Sequence, residues 1–211
     1  MTNRSFKNKI IMTPRTEKQY KDIRKERREL IMDSALMVFS KKGYHASSVA
    51  QIAKEAGISK GLIYNYFDSK EELLKCILDE FISMMADMIN PNNDDEITTE
   101  EMKSFFDSMI DSMKTNREHW VILFQLSMQK DVISLLFSNQ GLGSRNEKTM
   151  QLAYKYFAER FEKPQEELLF FRSVLKGFAL ILVLTPHMCS DDMIDSMKKR
   201  LYKLFIKPKA N

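Results

Sequence analysis

Glycine and proline are scarce in this chain, six and five in 211 residues. So few turn-formers argue against many short strands joined by tight turns, and leave helices as the default. Cysteine is scarcer still. Cys76 and Cys189 lie far apart, each inside an apolar helical pattern. That excludes a disulfide scaffold and leaves two buried thiols, or at most one redox pair, in a reducing compartment. The longest apolar run, Phe178 to Leu184, falls far short of the ~20 residues that span a bilayer. Near the N-terminus only Ile10 to Met12 form an apolar patch, too short for a secretory signal. A cytoplasmic chain with no membrane partner is expected. The three histidines, His45, His119 and His187, fall in no metal-ligand spacing. Phosphate-binding glycine loops, nucleophile elbows and Cys-x-x-Cys pairs are all missing. No cofactor, no metal and no catalysis are expected.

What is present is uneven charge. Residues 1–70 hold 15 Lys and Arg against 7 Asp and Glu, a net of +8, while residues 71–211 hold 18 against 22, a net of −4. A basic N-terminal third on a mildly acidic body suggests a polyanion partner for that third. Residues 1–22 read as a basic flexible tail, although Thr16 and Gln19 also have the spacing of a capping box. Its cations either reach a minor groove or remain solvated. Apolar periodicity then predicts helices over about 23–42, 49–56, 60–67, 69–89, 98–116, 118–129, 145–162, 165–185 and 191–206, with a further short one near 131–138. Either Asp68 with Glu71 or Ser69 with Glu72 opens the fourth. Pro164 followed by Glu166 and Glu167 opens the eighth.

The block from Ser47 to Phe67 reads Ser-Ser-Val-Ala-Gln-Ile-Ala-Lys-Glu-Ala-Gly-Ile-Ser-Lys-Gly-Leu-Ile-Tyr-Asn-Tyr-Phe. Two short helices joined at Gly57 form a helix-turn-helix, whose second helix enters the major groove. Its outward face offers Lys60, Gly61, Leu62, Tyr64, Asn65 and Tyr66. Lys60 suits a guanine edge or a phosphate, Asn65 suits adenine, and Gly61 allows close approach. Ser48 and Lys70, at two neighbouring helix starts, suit phosphates. Packing for Tyr64 and Tyr66, and plain solvation for Lys60 and Lys70, are the alternative readings. Arg24, Lys25, Arg27 and Arg28 are either phosphate contacts or a solvated face interleaved with Glu26 and Glu29.

The run from about Arg28 to Leu74 resembles the DNA-binding region of tetracycline-repressor-type (TetR-family) regulators. The match rests on Ile31 to Ala35, Phe39, Gly43-Tyr44, Ser47 to Val49, Ile52-Ala53, Ala56 to Gly61, Tyr64, Tyr66-Phe67 and Ser69 to Leu73. It spans under a quarter of the chain. The resemblance implies that Ser48, Lys60, Gly61, Leu62, Tyr64, Asn65, Tyr66 and Lys70 contact DNA. Ala50 departs from the pattern, standing where many members carry a basic residue.

The resemblance also implies an all-α fold. An N-terminal three-helix DNA-binding domain (23–68) would precede a C-terminal effector-binding and dimerisation domain (69–211), with about nine helices in all. That second domain holds 11 of the 15 methionines, which suit an adaptable apolar pocket. Phe106, Met109, Met113, Trp120, Phe124, Met128 and Phe178 are its candidate effector contacts, and each reads also as ordinary core. The near-continuous apolar face over 165–185, together with 191–206, is the candidate homodimer surface, which intramolecular burial would equally satisfy. The function implied is repression at a palindromic operator in double-stranded DNA, relieved by a small hydrophobic or amphipathic effector. An activator, a sequence-tolerant DNA-binding protein, an interaction module and a helical enzyme without short motifs are the competing readings.

Overall fold

The computed structural model describes residues 16–130, 132 and 144–207, with no side chains described over 144–146. The tail cations Arg4, Lys7, Lys9 and Arg15, the expected helix near 131–138, and Gly141 and Gly143 lie outside the described residues. Among those described are nine α-helices, one short 3-10 turn and no strand. The helices are α1 (Glu17–Lys42), α2 (Val49–Glu55), α3 (Lys60–Tyr64), α4 (Lys70–Ile89), α5 (Thr99–Thr115), α6 (Arg117–Ser127), α7 (Ser144–Ala158), α8 (Pro164–Leu184) and α9 (Asp191–Phe205). None is long and apolar enough to cross a membrane.

Helix α1 begins at Glu17, six residues before the start that periodicity suggests. Thr16 and Gln19 close a reciprocal capping box, with the Gln19 N–H donating to Thr16 Oγ1 at 3.3 Å and the Thr16 N–H to Gln19 Oε1 at 2.9 Å. Two otherwise orphaned donors are thereby satisfied, so the helix forms without an apolar stripe in its first turns. The expected tail therefore loses its last residues to this helix. Lys41 and Lys42 end the helix, and Gly43 at φ +83° turns the chain out of it. Helix α3 is shorter than expected and stops at Tyr64. Phe67 is driven into the core (2% exposed) and Ser69 caps α4 by accepting from the Glu72 N–H at 3.0 Å. The chain must turn between them. Of the two capping pairs, Ser69 with Glu72 forms, and the Glu72 carboxylate accepts from the Asp68 N–H.

Two apolar clusters organise the molecule. The head cluster gathers Ile31, Ala35 and Phe39 of α1, Ile52 of α2, Ile63 of α3, and Leu73, Leu74 and Ile77 of α4. The body cluster gathers α5, α7, α8 and α9 around Phe106, Phe157, Phe171 and Phe205, whose rings lie 5.1–6.2 Å apart where they touch. The two clusters are not separate folding units. Leu123 and Leu126 of α6 are buried in the head cluster, while Trp120, one turn earlier on the same helix, belongs to the body cluster. Phe81 of α4 packs against both. The two free cysteines separate the same way: Cys76 packs against the head cluster, Cys189 against the body cluster.

Candidate nucleic-acid interface and ligand cavity

The head presents α3 on a fixed frame. Gly57 at φ +64° makes the turn from α2, a conformation only glycine adopts freely. Ser59 caps α3 by accepting from the Leu62 N–H at 3.2 Å. Ile63 faces the core, so the opposite face of this five-residue helix is left to solvent. Lys60, Gly61, Tyr64 and Asn65 are exposed there, and Tyr64 keeps 46% of its surface open. The Lys60 ammonium lies 5.9 Å from the Tyr64 ring centre. Leu62 and Tyr66 are half-buried, and the Arg24 guanidinium sits 5.3 Å from the Tyr66 ring centre. Asn65 and Tyr66 lie in the turn that closes the helix, with the Tyr66 N–H donating to Ile63 O at 2.9 Å.

Gly61 has a simple diagnostic value. A Cβ built there meets nothing within 4 Å, and its backbone angles do not demand glycine. Among the described residues nothing requires the missing side chain, and on this exposed face its absence would let a duplex approach closely. Gly61→Ala is expected to leave the melting temperature unchanged or slightly higher, because alanine favours helix by about 1 kcal/mol. The same change is expected to weaken binding to specific DNA by about tenfold or more. Calorimetry and fluorescence anisotropy, run on the same preparation, read the two effects. A fall in stability equal to the fall in affinity would show that Gly61 matters to the fold.

Ser48 caps α2, accepting from the Gln51 N–H at 3.3 Å while Gln51 Oε1 accepts from the Ser48 N–H at 3.0 Å. Ser48 itself is exposed. Lys70 is half-buried and engaged within the protein. Its ammonium donates to Tyr44 O at 2.7 Å and Ser47 O at 2.8 Å, and lies 4.4 Å from the Tyr44 ring centre. Burial lowers its pKa from the ordinary lysine value. Lys70 thus braces the loop that leads into α2. Arg28 is also occupied within the protein, pairing with Glu80 at 2.7 Å and lying 5.2 Å from the Phe67 ring centre. Lys25 pairs with Glu29 at 3.7 Å.

One residue that sequence reasoning did not single out joins head to body. Gln129, just past α6, accepts from the Tyr44 N–H at 2.7 Å and donates to Phe39 O at 3.1 Å. A single side-chain amide therefore clamps the end of α1 and the following loop to α6. No local signal marks it, because its partners lie 85 and 90 residues away.

A cavity of about 580 Å³ opens in the body between α4, α5, α6 and α8. Four expected contacts line it: Met109, Met113, Trp120 and Phe124. Phe106 and Phe178 do not; they are buried in the body cluster behind it. Met128 does not either, standing 51% exposed beyond the end of α6. The missed walls are Phe81, Ile82 and Met85 of α4, together with Leu169, Arg172, Ser173 and Lys176 of α8. Of the α8 residues, Arg172, Ser173 and Lys176 are polar breaks in an otherwise apolar run. The α4 residues carried no mark that separates a cavity wall from core.

The comparisons with known proteins follow this division. Residues 31–77 match the family model described as bacterial regulatory proteins, tetR family. An uncharacterized HTH-type transcriptional regulator of Bacillus subtilis (strain 168), YuxN, is 51% identical over 57 residues, covering 27% of this chain and 20% of that protein. The fatty acid metabolism regulator protein of the same organism is 30% identical over 105 residues, covering 50% and 54%. The chain thus matches little more than half the length of these curated relatives at most. The structure of the fatty acid degradation regulator FadR from Bacillus halodurans superposes with a TM-score of 0.61 at 19% identity, covering 85% of this chain and 94% of its own. At that identity the likeness is one of fold. The head that residues 31–77 help to build thus matches the tetR family of bacterial regulatory proteins, and the helical body behind it shares its fold with solved regulators.

Proposed function

We propose that this protein is a sequence-specific DNA-binding transcription regulator, a dimeric repressor released from a palindromic operator by a small hydrophobic or amphipathic effector. The observation that carries the reading is the path between two surfaces. The exposed face of α3 sits on a core completed by Leu123 and Leu126 of α6, and α6 also lines the cavity through Trp120 and Phe124. A ligand that repositions α6 therefore acts on the head through the shared core and the Gln129 clamp. Coupling of this kind is typically worth ~1–3 kcal/mol.

The reading of a homodimer rests on one face of α8. Phe170, Gly177, Ile181 and Leu184 recur at seven, four and three residues, and the three side chains are 48%, 51% and 42% exposed. Met193 and Leu204 of α9 extend the apolar exposure. A Cβ at Gly177 meets nothing within 4 Å, leaving room for a second helix. Two-fold pairing places each residue against its own copy's surface, so Ile181→Glu brings two carboxylates into the interface. The dissociation constant of the dimer is expected to rise by about a hundredfold or more, read by analytical ultracentrifugation. A variant that still sediments as the wild type does would remove this face from the interface.

Selection from a randomised duplex library tests the function as a whole. The expected product is a palindrome whose half-sites lie one helical turn, ~34–36 Å, or a multiple of it, apart. Enrichment of no particular sequence would favour a sequence-tolerant binder.

A further inference from the structure

The charge on the cavity wall is one-sided. Among the described residues its only charged side chains are Arg172 and Lys176, both cationic and both on α8. Its neutral polar groups are already committed. The Ser127 hydroxyl donates to Phe124 O at 3.0 Å, the Ser173 hydroxyl to Leu169 O at 2.8 Å, and the Trp120 indole N–H to Ser112 Oγ at 3.1 Å. Arg172 and Lys176, by contrast, make no ion pair or hydrogen bond among the described residues. The helix itself offers them none. Positions three and four away from each are Leu168, Leu169, Leu175, Ser173, Ala179 and Leu180, apart from each other. Like charges at that spacing repel and cost helix stability. An anion between them removes the repulsion and gains charge-assisted hydrogen bonds.

We infer that the cavity binds an amphiphile with an anionic head, a carboxylate or a phosphate, whose head lies between Arg172 and Lys176 and whose apolar chain lies among Met85, Met109, Met113 and Trp120. The exposed cations hold the head at the mouth, in reach of water. The methionines accommodate a flexible chain more readily than a rigid one. The volume, about 580 Å³, falls within the ~300–1,000 Å³ usual for small-molecule sites. This inference rests on the reading of the cavity as the effector site and narrows the effector's chemistry.

Trp120 is the one tryptophan in the chain and stands in the cavity wall, so its fluorescence reports occupancy with no DNA present. Four probes with one chain length, dodecanoate, dodecyl phosphate, dodecanol and dodecylamine, are titrated below their micelle concentrations into the full-length protein. At least one of the two anions is expected to bind about tenfold or more tightly than dodecanol, and dodecylamine most weakly. Whichever anion binds tighter identifies the head. In the double variant R172Q/K176Q the preference for anion over alcohol is expected to fall to about one, in a protein whose circular dichroism matches the wild type. Equal binding of anion and alcohol by the wild type, or an anion preference that survives in the variant, overturns the inference while leaving an effector cavity in place. No fluorescence change with any probe overturns the effector reading and this inference with it. Neither result bears on DNA recognition.

Discussion

Leu126→Ala is expected to destabilise the whole protein by about 2–5 kcal/mol, the range for emptying a buried leucine site, and to weaken DNA binding as well. Leu126 is 0% exposed and lies on α6, a helix of the body, yet its neighbours belong to the head cluster. Its loss leaves a void between α6 and the helices that position α3. Leu123, 6% exposed, lies beside it on the same side of the junction. Urea unfolding followed by circular dichroism and by Trp120 fluorescence reads the effect. Circular dichroism averages over every helix, whereas Trp120 reports the body. Both transitions are expected to shift together, since a shared core makes one cooperative unit. Two transitions, with only the head weakened, would show that α6 merely rests on the head.

The second large effect is expected at Gln129. Gln129→Leu keeps most of the volume and removes both hydrogen bonds. The Tyr44 N–H loses the Gln129 acceptor it has at 2.7 Å, at about 1–3 kcal/mol, while Phe39 O, which loses a donor at 3.1 Å, still accepts from the Gly43 N–H at 2.9 Å. Tyr44 leads into the loop whose carbonyls Lys70 holds, and that loop ends at Ser48, the cap of α2. Loosening the clamp therefore loosens the entry to the helix-turn-helix. Amide hydrogen exchange at Tyr44 is expected to accelerate by about tenfold or more, and operator affinity to fall. Gln129→Glu separates the two bonds: a carboxylate still accepts from the Tyr44 N–H but has nothing to donate to Phe39 O. Protection at Tyr44 is expected to persist in that variant. Unchanged exchange at Tyr44 in Gln129→Leu would remove the clamp from the coupling path.

Local rules carried much of the fold. Helix caps are short-range devices, so Ser48, Ser59, Ser190 and Pro164 mark their helices in the sequence as they do in space. The helix-turn-helix was legible for the same reason, its spacing being fixed by two short helices and one glycine. Elements whose meaning depends on a distant partner were not. The apolar stripe of α6 does not say that Trp120 will face the body and Leu126 the head. Lys70 has the position of a phosphate contact, and only the fold brings the carbonyls of Tyr44 and Ser47 to it. Phe106 and Met109 sit three residues apart on α5, one sealed in core and one lining a cavity. No periodicity separates such neighbours, because the helix that would fill the space between them is set by tertiary packing.

Recognition of a specific DNA sequence by α3 is the central claim, and one paired titration tests it most directly. Fluorescence anisotropy at physiological salt compares the selected operator with a scrambled duplex, for the wild type and for Tyr64→Ala. The wild type is expected to favour the operator by about 10³-fold or more. In the variant, which loses an exposed side chain of the recognition face, that ratio is expected to fall by about 5–150-fold, while binding to the scrambled duplex changes little. A wild-type ratio near one, or a ratio the variant leaves intact, would contradict the account.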